Sequence, residues 1–309
     1  MSTNQEMLQV IDESIRKDVF GNADLSTGGL LNPEQADRFI QKLFDYAIMT
    51  QDFRKVTMTS PKRRIEKLNF ANRIAVAPGA EGVDPASGDI KKPTTEKVEL
   101  STVEVDAYVD LAFTTVEDNI ERGNLENTIV DMVARRLQTD LEELYLKGDT
   151  GSGDTYLALL NGWLKQSTSN VVDVSSATFS EDGVFGAMLD SLPQRFFRNP
   201  NEWRLYTSTK NVRKVRRERA ARQTIGGDFW LTGSPPLTYE DVAIVGVPLM
   251  ADSKCLLIHP DNVLIGIQRD ITFDNFRNGR KRIWQMTWTM RVDTKYEEET
   301  AVVSAINIA

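Results

Sequence analysis

The chain has 309 residues, a formal net charge of -8 and the composition of an ordinary globular protein, with 40% hydrophobic and 27% charged residues. That length fits one large domain or two interlocked domains. One His and one Cys exclude a disulfide within the chain and a structural zinc site, which needs about four Cys or His ligands. A histidine-dependent catalytic triad would have to use His259, which narrows the enzymatic options.

The charge balance and the N-terminal sequence indicate a compartment and exclude some partners. The chain has 45 acidic and 37 basic residues. This balance argues against a protein that binds duplex DNA by neutralising phosphates with its whole surface. No segment approaches the roughly 18 apolar residues of a membrane-spanning helix, and Met1–Phe20 lacks the apolar core of a signal peptide. With no cysteine pair, the expected compartment is a reducing cytoplasm.

The first part of the chain contains little that packs by itself. Residues 1–30 are polar, end in a Gly-Gly pair and predict an extended arm. A helix is predicted from Asn32-Pro33-Glu34 onwards. Residues 59–97 are rich in Pro, Gly, Lys and Arg and cannot hold a core of their own. They are therefore either disordered or a hairpin that projects towards another subunit.

A long strand and a long helix follow this segment. Apolar and polar side chains alternate from Thr102 to Phe113, which predicts a strand of about 40 Å and favours the hairpin interpretation. The next helix has roughly 23 residues and an extent of about 35 Å, ends at Gly148, and is suited to be a structural spine. Its apolar stripe consists of Leu125, Ile129, Met132, Val133, Leu137, Leu141, Leu144 and Tyr145. The predicted core positions of this spine helix are Leu125, Ile129, Val133, Leu137 and Leu141.

The rest of the chain mixes helices with short strands, which indicates a second α+β unit. The elements predicted there are a helix at 184–197, a strand at 203–207, a basic helix at 209–222 and strands at 256–259 and 263–267. Alternation from Trp284 to Val292 predicts another strand, and 301–309 predicts a final one. No repeat of 20 to 50 residues is present, which excludes solenoids and propellers.

The candidate sites for phosphate or metal are weak. The glycines between Gly148 and Gly153 end a helix, whereas a phosphate-binding loop precedes one and continues into Lys-Ser or Lys-Thr. Asp149 and Asp154 lack the spacing of a calcium-binding EF-hand, so we interpret them as solvated loop carboxylates. The sequence predicts no cofactor and no metal site.

Candidate catalytic residues also have simpler interpretations. Glu297, Glu298 and Glu299 follow a predicted strand and are expected at a solvated edge or in an inter-subunit salt bridge. His259 ends an apolar strand, and no Gly-x-Ser-x-Gly motif accompanies it, so a structural hydrogen bond is favoured over a role as general base. Cys255, beside the same strand, is expected to be a small buried hydrophobe. No catalytic residue is predicted.

The densest positive charge lies on the predicted basic helix. It consists of Arg213, Lys214, Arg216, Arg217, Arg219 and Arg222. A helical projection spreads the side chains of this run over most of the circumference, as shown by Arg213, Arg216, Arg217 and Glu218. This argues against a helix that binds a DNA groove with a single face. Two interpretations stay open: contact with packaged nucleic acid or an acidic scaffold, and salt bridging to acidic neighbours in an assembly.

The order of these motifs resembles the major capsid proteins of tailed bacteriophages, from about residue 25 to the C-terminus. The motifs are Gly28-Gly29-Leu30-Leu31-Asn32-Pro33-Glu34, Tyr145-Leu146-Lys147-Gly148-Asp149, Asn161-Gly162-Trp163 and Gly246-Val247-Pro248-Leu249. The resemblance implies an α+β Hong Kong 97-type capsid fold with an N-terminal arm, an extended loop, a spine helix, and peripheral and axial domains. Copies of such a subunit form pentamers and hexamers in an icosahedral shell around double-stranded DNA.

Domain boundaries follow from combining the pattern with this resemblance. They are an N-terminal arm at 1–35, the start of the peripheral domain at 36–58, an extended loop at 59–97, the peripheral domain with the spine helix at 98–169, an axial domain at 170–265, peripheral strands at 266–298 and a C-terminal strand of the axial domain at 299–309. The inter-subunit loop residues are Lys62, Arg63, Arg64, Lys91 and Lys92.

The resemblance also implies partners and a location. The expected partners are other copies of the chain, a scaffolding protein, a portal, a decoration protein and packaged DNA contacted non-specifically, with no membrane. The expected location is the virion, after assembly in the bacterial host cytoplasm. Some members cross-link a loop lysine to a neighbouring asparagine with help from a glutamate. Lys91, Lys92 and Lys97 lie in that region, but no partners are identifiable, so we interpret them as ordinary charged side chains.

Two other hypotheses stay open at this level. An encapsulin-type nanocompartment shell has the same fold but encloses an enzyme cargo. A glycosidase that uses two carboxylates is the hypothesis from a different class, and it requires a pocket with carboxyl groups about 5 to 9.5 Å apart.

Overall fold

A computed structural model of the chain describes residues 48–69, 73–77, 84, 87, 90–113, 125–175, 179–221, 236–268 and 272–308. The predicted N-terminal arm and the helix after Asn32 lie outside these residues. The α-helices are α1 (Met49–Asp52), α2 (Leu125–Lys147), α3 (Trp163–Gln166), α4 (Ala187–Ser191) and α5 (Thr209–Ala220). A π-helical turn, Asp182–Gly186, precedes α4.

The strands fall into the same two groups that the alternation predicts, one before α2 and one in the C-terminal half. They are β1 (Arg54–Met58), β2 (Lys62–Asn69), β3 (Thr94–Ser101), β4 (Val103–Ala112), β5 (Val171–Asp173), β6 (Arg204–Ser208), β7 (Thr238–Tyr239), β8 (Val242–Val247), β9 (Cys255–Ile258), β10 (Val263–Gln268), β11 (Thr272–Asn278), β12 (Ile283–Tyr296) and β13 (Val303–Ile306).

The chain divides into two compact units. The first contains the described parts of Met1–Asp52, Glu104–Leu144 and Gln268–Val292, and the second contains those of Phe53–Val103, Tyr145–Ile267 and Asp293–Ala309. In the first unit, β11 pairs antiparallel with β12, so that Thr272 faces Thr289 and Asn278 faces Ile283. Strand β4 also pairs with β12. This unit is therefore a small sheet accompanied by most of the spine helix α2.

Helix α2 confirms the predicted spine helix, including its end at Lys147. Leu137 and Leu141 are buried, with 6% and 3% of their surface exposed, and Ile129 and Val133 are half-buried. The side chain of Leu125 lies outside the described residues. Met132 is 65% exposed, so its assignment to the apolar stripe is wrong for the single chain. It sits at the margin of the stripe, where a helix of 3.6 residues per turn directs it towards solvent.

The second unit contains a six-stranded sheet in the order β5-β13-β9-β6-β8-β7. Strand β9 runs antiparallel to β6 and β13, whereas β6 and β8 are parallel. A cluster that includes Phe185, Met188, Leu205 and Val215 forms the core between this sheet and the helices. The short apolar segments of β9 and β6 become buried strands because the core covers them.

The predicted helix at 184–197 is wrong at its C-terminal end. The helical segment stops at Ser191, and Leu192 is extended with φ -75° and ψ 127°. Pro193 explains the stop, because the residue before a proline is disfavoured in the helical region. The boundaries of β6, α5, β9 and β10 lie within two residues of the predicted ones where they are described.

Trp163 joins the end of α2 to the end of β12 inside the second unit. Its side chain has no exposed surface, and its Nε1 donates to Thr294 Oγ1 at 2.7 Å. The hydroxyl of Tyr296 donates to the Trp163 carbonyl at 2.9 Å, and the rings of Tyr145 and Phe53 lie 5.7 and 4.8 Å away. Three segments that are distant in sequence are thereby held at one residue.

Gly162 permits the close approach that this junction needs. A Cβ at this position would lie 2.6 Å from the Tyr145 carbonyl oxygen and 2.7 Å from the Gly148 nitrogen. Both are backbone atoms, and Gly162 N donates to the Gly148 carbonyl at 2.8 Å. Backbone atoms cannot move aside in the way that the end of a flexible side chain can. A side chain at position 162 would therefore clash with them.

We predict that Gly162→Ala lowers the free energy of unfolding by about 1–3 kcal/mol, the usual cost of overpacking. Gly153→Ala is the matched control, since a Cβ there meets nothing within 4 Å. Urea unfolding followed by tryptophan fluorescence measures both. Equal stability of the two variants would show that the junction has room for a methyl group.

We also predict that Leu141→Asp prevents stable folding, because it places an unpaired charge at a site with 3% exposure and costs about 4 kcal/mol or more. Met132→Asp, on the exposed side of the same helix, is expected to change stability by less than about 0.5 kcal/mol. Circular dichroism and thermal unfolding distinguish these outcomes. Cooperative unfolding of Leu141→Asp at the wild-type temperature would contradict the prediction.

Candidate functional site

Strands β2 and β3 form an antiparallel hairpin in the segment that the sequence marks as loop-like. Lys62 faces Ser101 at its base, and Asn69 faces Thr94 further out. This agrees with the hairpin interpretation for the described residues. At the base, Thr102 N donates to the Pro61 carbonyl at 2.9 Å, and Ser101 N donates to Asp293 Oδ2 at 2.7 Å.

The base of the hairpin is packed into the second unit. Ile65 and Val98 contact a buried cluster formed by Val56, Met58, Leu100 and Leu264. Burial raises the pKa of Asp293, and the N–H groups of Ser101 and Thr294 oppose that rise by hydrogen bonding to its charged form. The hairpin is thus anchored by apolar packing and by a buried carboxylate that receives backbone donors.

The predicted inter-subunit residues near the base have partners within the chain. Arg64 Nε lies 2.8 Å from Glu99 Oε2, and Lys62 Nζ lies 3.7 Å from Glu99 Oε1. The hydrogen bond and charge of Arg64 hold the pKa of Glu99 below its usual value. Arg63 donates to the Thr57 carbonyl at 2.7 Å. These three side chains therefore stabilise the hairpin itself, each from an exposed position.

The outer part of the hairpin segment exposes apolar side chains. Leu68 is 74% exposed, Ile90 59%, Ile74 53% and Val76 47%. Lys91 and Lys92, the remaining predicted loop residues, are exposed beside Ile90. Apolar groups of this size that remain open along one projecting segment are typical of a surface that another molecule covers.

Helix α5 carries the basic run and begins with a conventional cap. Ser208 Oγ accepts a hydrogen bond from Asn211 N at 3.2 Å, and Asn211 and Val215 are buried against the sheet. Arg213, Arg216 and Arg217 are exposed together on the opposite side. The expectation that these arginines are spread around the circumference is therefore wrong. Positions three and four apart lie on one side of a helix, and the three arginines have that spacing.

The other basic residues of α5 have structural contacts. Arg219 forms a buried ion pair with Glu181, in which its Nε lies 2.9 and 3.1 Å from the two carboxylate oxygens. It also donates to the Thr238 carbonyl at 2.6 Å. The ammonium of Lys214 lies 5.4 Å from the centre of the Phe179 ring. Arg222 lies outside the described residues.

The acidic residues near the C-terminus are paired within the second unit. Glu297 binds Arg54 at 3.0 Å, and Glu298 lies 3.5 Å from Lys67 of the hairpin. Glu299 accepts backbone hydrogen bonds from Thr168 and Ser169 at 2.6 and 2.7 Å. Burial alone would raise the pKa of Glu299, but the hydrogen bonds from Ser169 and Thr168 outweigh it and hold the pKa below its usual value. These three glutamates therefore stabilise the second unit through ion pairs and hydrogen bonds.

His259 and Cys255 also have structural environments. His259 Nδ1 accepts from Asp261 N at 3.3 Å, and its ring packs edge-on against Trp203 at 5.7 Å. Cys255 is buried and lies 2.9 Å from Thr207 Oγ1, and burial raises the pKa of its thiol to about 12. A thiol with that pKa is not a nucleophile near neutral pH.

The Gly148–Gly153 loop is organised by its own side chains. Asp149 accepts from Gly151 N at 2.9 Å and binds Lys165 at 2.9 Å, and Asp154 accepts from Tyr156 N at 2.9 Å. Within the described residues, no group of three or more His, Cys, Asp or Glu side chains is arranged to hold a metal ion. The same part of the chain contains no helix that is long and apolar enough to cross a membrane.

Sequence reasoning missed the buried carboxylates of Glu142 and of Glu181, the partner of Arg219. Glu142 has 3% exposure and accepts from Met49 N at the start of α1 at 3.0 Å, and burial raises its pKa. Glu142 lies about 100° around the helix from Leu141 and is therefore off the predicted apolar stripe, so periodicity offered no signal for its burial. Glu181 gave no local signal, because its partner is 38 positions away.

Comparison with known proteins identifies the same fold. The sequence model of the phage capsid family matches residues 27–304. A prophage capsid protein of Bacillus subtilis strain 168, YqbE, is 34% identical over 96% of this chain and 98% of its own length. A chain of the satellite phage P4 procapsid has a TM-score of 0.70 at 12% identity, covering 96% of this chain and 98% of its own. A capsid chain of a native GTA particle has a TM-score of 0.65 at 11% identity, covering 87% and 91%.

We predict that Arg219→Ala lowers the free energy of unfolding by about 3–5 kcal/mol, because it leaves the carboxylate of Glu181 buried without its cation. Arg216→Ala, on the exposed side of the same helix, is expected to change stability by less than about 0.5 kcal/mol. Urea unfolding of both variants provides the measurement. A loss below about 1 kcal/mol for Arg219→Ala would contradict the structural role of the pair.

Proposed function

Because the chain belongs to the phage capsid family and is a major capsid protein with the Hong Kong 97-type fold, we propose that its copies assemble into pentamers and hexamers. These capsomers tile an icosahedral shell around double-stranded DNA. The chain is a component of a virion, and we infer that the virion is assembled in the cytoplasm of a bacterial host. The role is structural rather than catalytic.

The observation that carries the proposal is the hairpin. Its base is fixed by packing and ion pairs within the chain, whereas its outer part exposes Leu68, Ile74, Val76 and Ile90. A firmly anchored base with an apolar outer part supports a contact with a neighbouring copy. Subunits arranged in this way use heterologous contacts, in which one surface meets a different surface and the ring can close.

We further propose that the exposed arginines of α5 contact an anionic partner in the particle. Arg213, Arg216 and Arg217 lie on one side, while Arg219 and Lys214 hold the helix to the rest of the second unit. Phosphates of packaged DNA are one candidate partner, and carboxylates of a scaffolding protein or of a neighbouring copy are the others. A net charge of -8 fits a wall that encloses DNA with few direct contacts.

Three further partners belong to this proposal. A shell filled with DNA needs a portal, and a separate scaffolding protein is the second partner. A decoration protein on the outer surface is the third. The prophage relative supports a phage head over a nanocompartment that encloses an enzyme.

We predict that deletion of residues 77–90 leaves a folded, soluble subunit that does not form stable shells. The deletion removes Ile90, one of the four exposed apolar residues, together with the residues before it, but leaves the paired strands β2 and β3 and the buried base intact. Negative-stain microscopy and sedimentation, with wild-type protein prepared in parallel with its scaffold, measure assembly, and thermal unfolding measures the fold. Normal shells from the deletion variant would refute the hairpin contact, and a strictly monomeric wild-type protein would refute the proposed function.

A further inference from the structure

The turn between β11 and β12 concentrates positive charge on an acidic chain. The segment Arg277–Arg282 contains four basic and no acidic side chains, and Arg280, Lys281 and Arg282 are exposed. We call these three residues the basic turn. Among the residues that the structure describes, none forms an ion pair with them.

The basic turn is held in place by contacts with neighbouring residues of the same unit. The guanidinium of Arg277 lies 4.8 Å from the centre of the Phe113 ring and 5.8 Å from that of Trp284. Phe113 N donates to the Arg282 carbonyl at 3.0 Å, and Lys281 N donates to Asn278 Oδ1 at 3.2 Å. A turn fixed in this way loses little backbone entropy when its side chains bind a partner.

A surface of opposite charge lies on β4 in the same unit. Asp106, Tyr108 and Asp110 occupy every second position and are all exposed, so they project to one side of the strand. We call them the acidic face. Tyr108 is 71% exposed, and its hydroxyl donates to Asp106 Oδ2 at 3.0 Å. An aromatic ring between two carboxylates offers a guanidinium both charge-assisted hydrogen bonds and a cation–π contact.

The basic turn cannot cover this acidic face within one copy. The bond between Phe113 and Arg282 places the turn at the C-terminal end of β4. At about 3.3 Å per residue, Tyr108 lies roughly 16 Å and Asp106 roughly 23 Å from Phe113 along the strand. These distances exceed the length of an arginine side chain. Asp110 is nearer, roughly 10 Å from Phe113, but two complementary surfaces that cannot cover each other within one chain are suited to a contact between copies.

We propose that the basic turn of one copy docks on the acidic face of a neighbouring copy. The contact is heterologous, since the two surfaces differ, and repetition of it builds rings and closed shells. Tyr and Arg are among the residues that contribute most to binding at protein interfaces. The inference rests on the proposed function, because it names a second copy of this chain as the partner of both surfaces.

Charge reversal on each surface tests this contact in the full-length chain. The variants are Arg280→Glu/Arg282→Glu and Asp106→Arg/Asp110→Arg. Each variant alone brings like charges together, and we expect the subunit concentration needed for particle formation to rise roughly tenfold or more. In an equal mixture, the two variants can alternate around a six-membered ring, where the turn of each meets the face of the other with opposite charge, so we expect hexamers to form near the wild-type concentration.

The mixture separates a contact between copies from an effect inside one copy. Light scattering and negative-stain microscopy measure assembly, while circular dichroism and thermal unfolding establish that each variant is folded. Arg198→Glu, at another exposed arginine, is the control for Arg280→Glu and should leave assembly unchanged.

If a reversed variant does not fold, Arg280→Gln/Arg282→Gln and Asp106→Asn/Asp110→Asn replace the pair, and each should raise the required concentration by a smaller factor.

Two results would overturn the inference. One is normal assembly of both variants on their own. The other is a mixture that fails to form hexamers, which would assign the basic turn to nucleic acid or to a different protein. If the wild-type protein forms no particles, the proposed function is overturned as well. If the wild-type protein forms particles and either of the two results is obtained, only this contact is overturned.

Discussion

A two-stranded hairpin is a single layer, so it can bury apolar side chains only by packing against something else. Isolated hairpins are therefore marginally stable in water. The hairpin of β2 and β3 meets this constraint at its base by packing Ile65 and Val98 into the second unit. Further out, Leu68 and Ile90 remain 74% and 59% exposed. Burial of apolar surface is worth roughly 25 cal/mol per Å², so these side chains gain stability by contact with another molecule. The proposed contact with a neighbouring copy would complete a hairpin whose base is already packed.

The base of the hairpin is supported by a network of hydrogen bonds inside the second unit. Trp163 binds Thr294 through its indole nitrogen and receives the hydroxyl of Tyr296, while Gly162 lets the backbone approach the end of the spine helix. Asp293, next to Thr294, receives the backbone N–H of Ser101 at the hairpin base. The motif around Trp163 that resembles phage capsid proteins is thus the place where helix, strand and hairpin base are joined.

Long periodic elements could be predicted from the sequence because their signal is repeated many times. Helix α2 and strand β4 confirm their predictions almost to the residue, and the resemblance to phage capsid proteins identified the family. The prediction near Pro193 was wrong because apolar periodicity continued past a residue that stops a helix. The roles of Arg219 and Arg216 could not be separated either. Arginines on one helix look alike until the fold places Glu181, 38 positions away, beside Arg219.

Hydrogen–deuterium exchange tests most directly whether neighbouring copies complete the hairpin. Exchange of the backbone amides at 73–77 and 90–92, compared between soluble subunits and assembled particles of the full-length chain, reports on the outer segment. Amides of α2, which are hydrogen-bonded within one copy, are the internal reference. We predict that exchange at 73–77 and 90–92 slows markedly on assembly while that of α2 changes little. Equal exchange of the outer segment in subunits and particles would contradict the account.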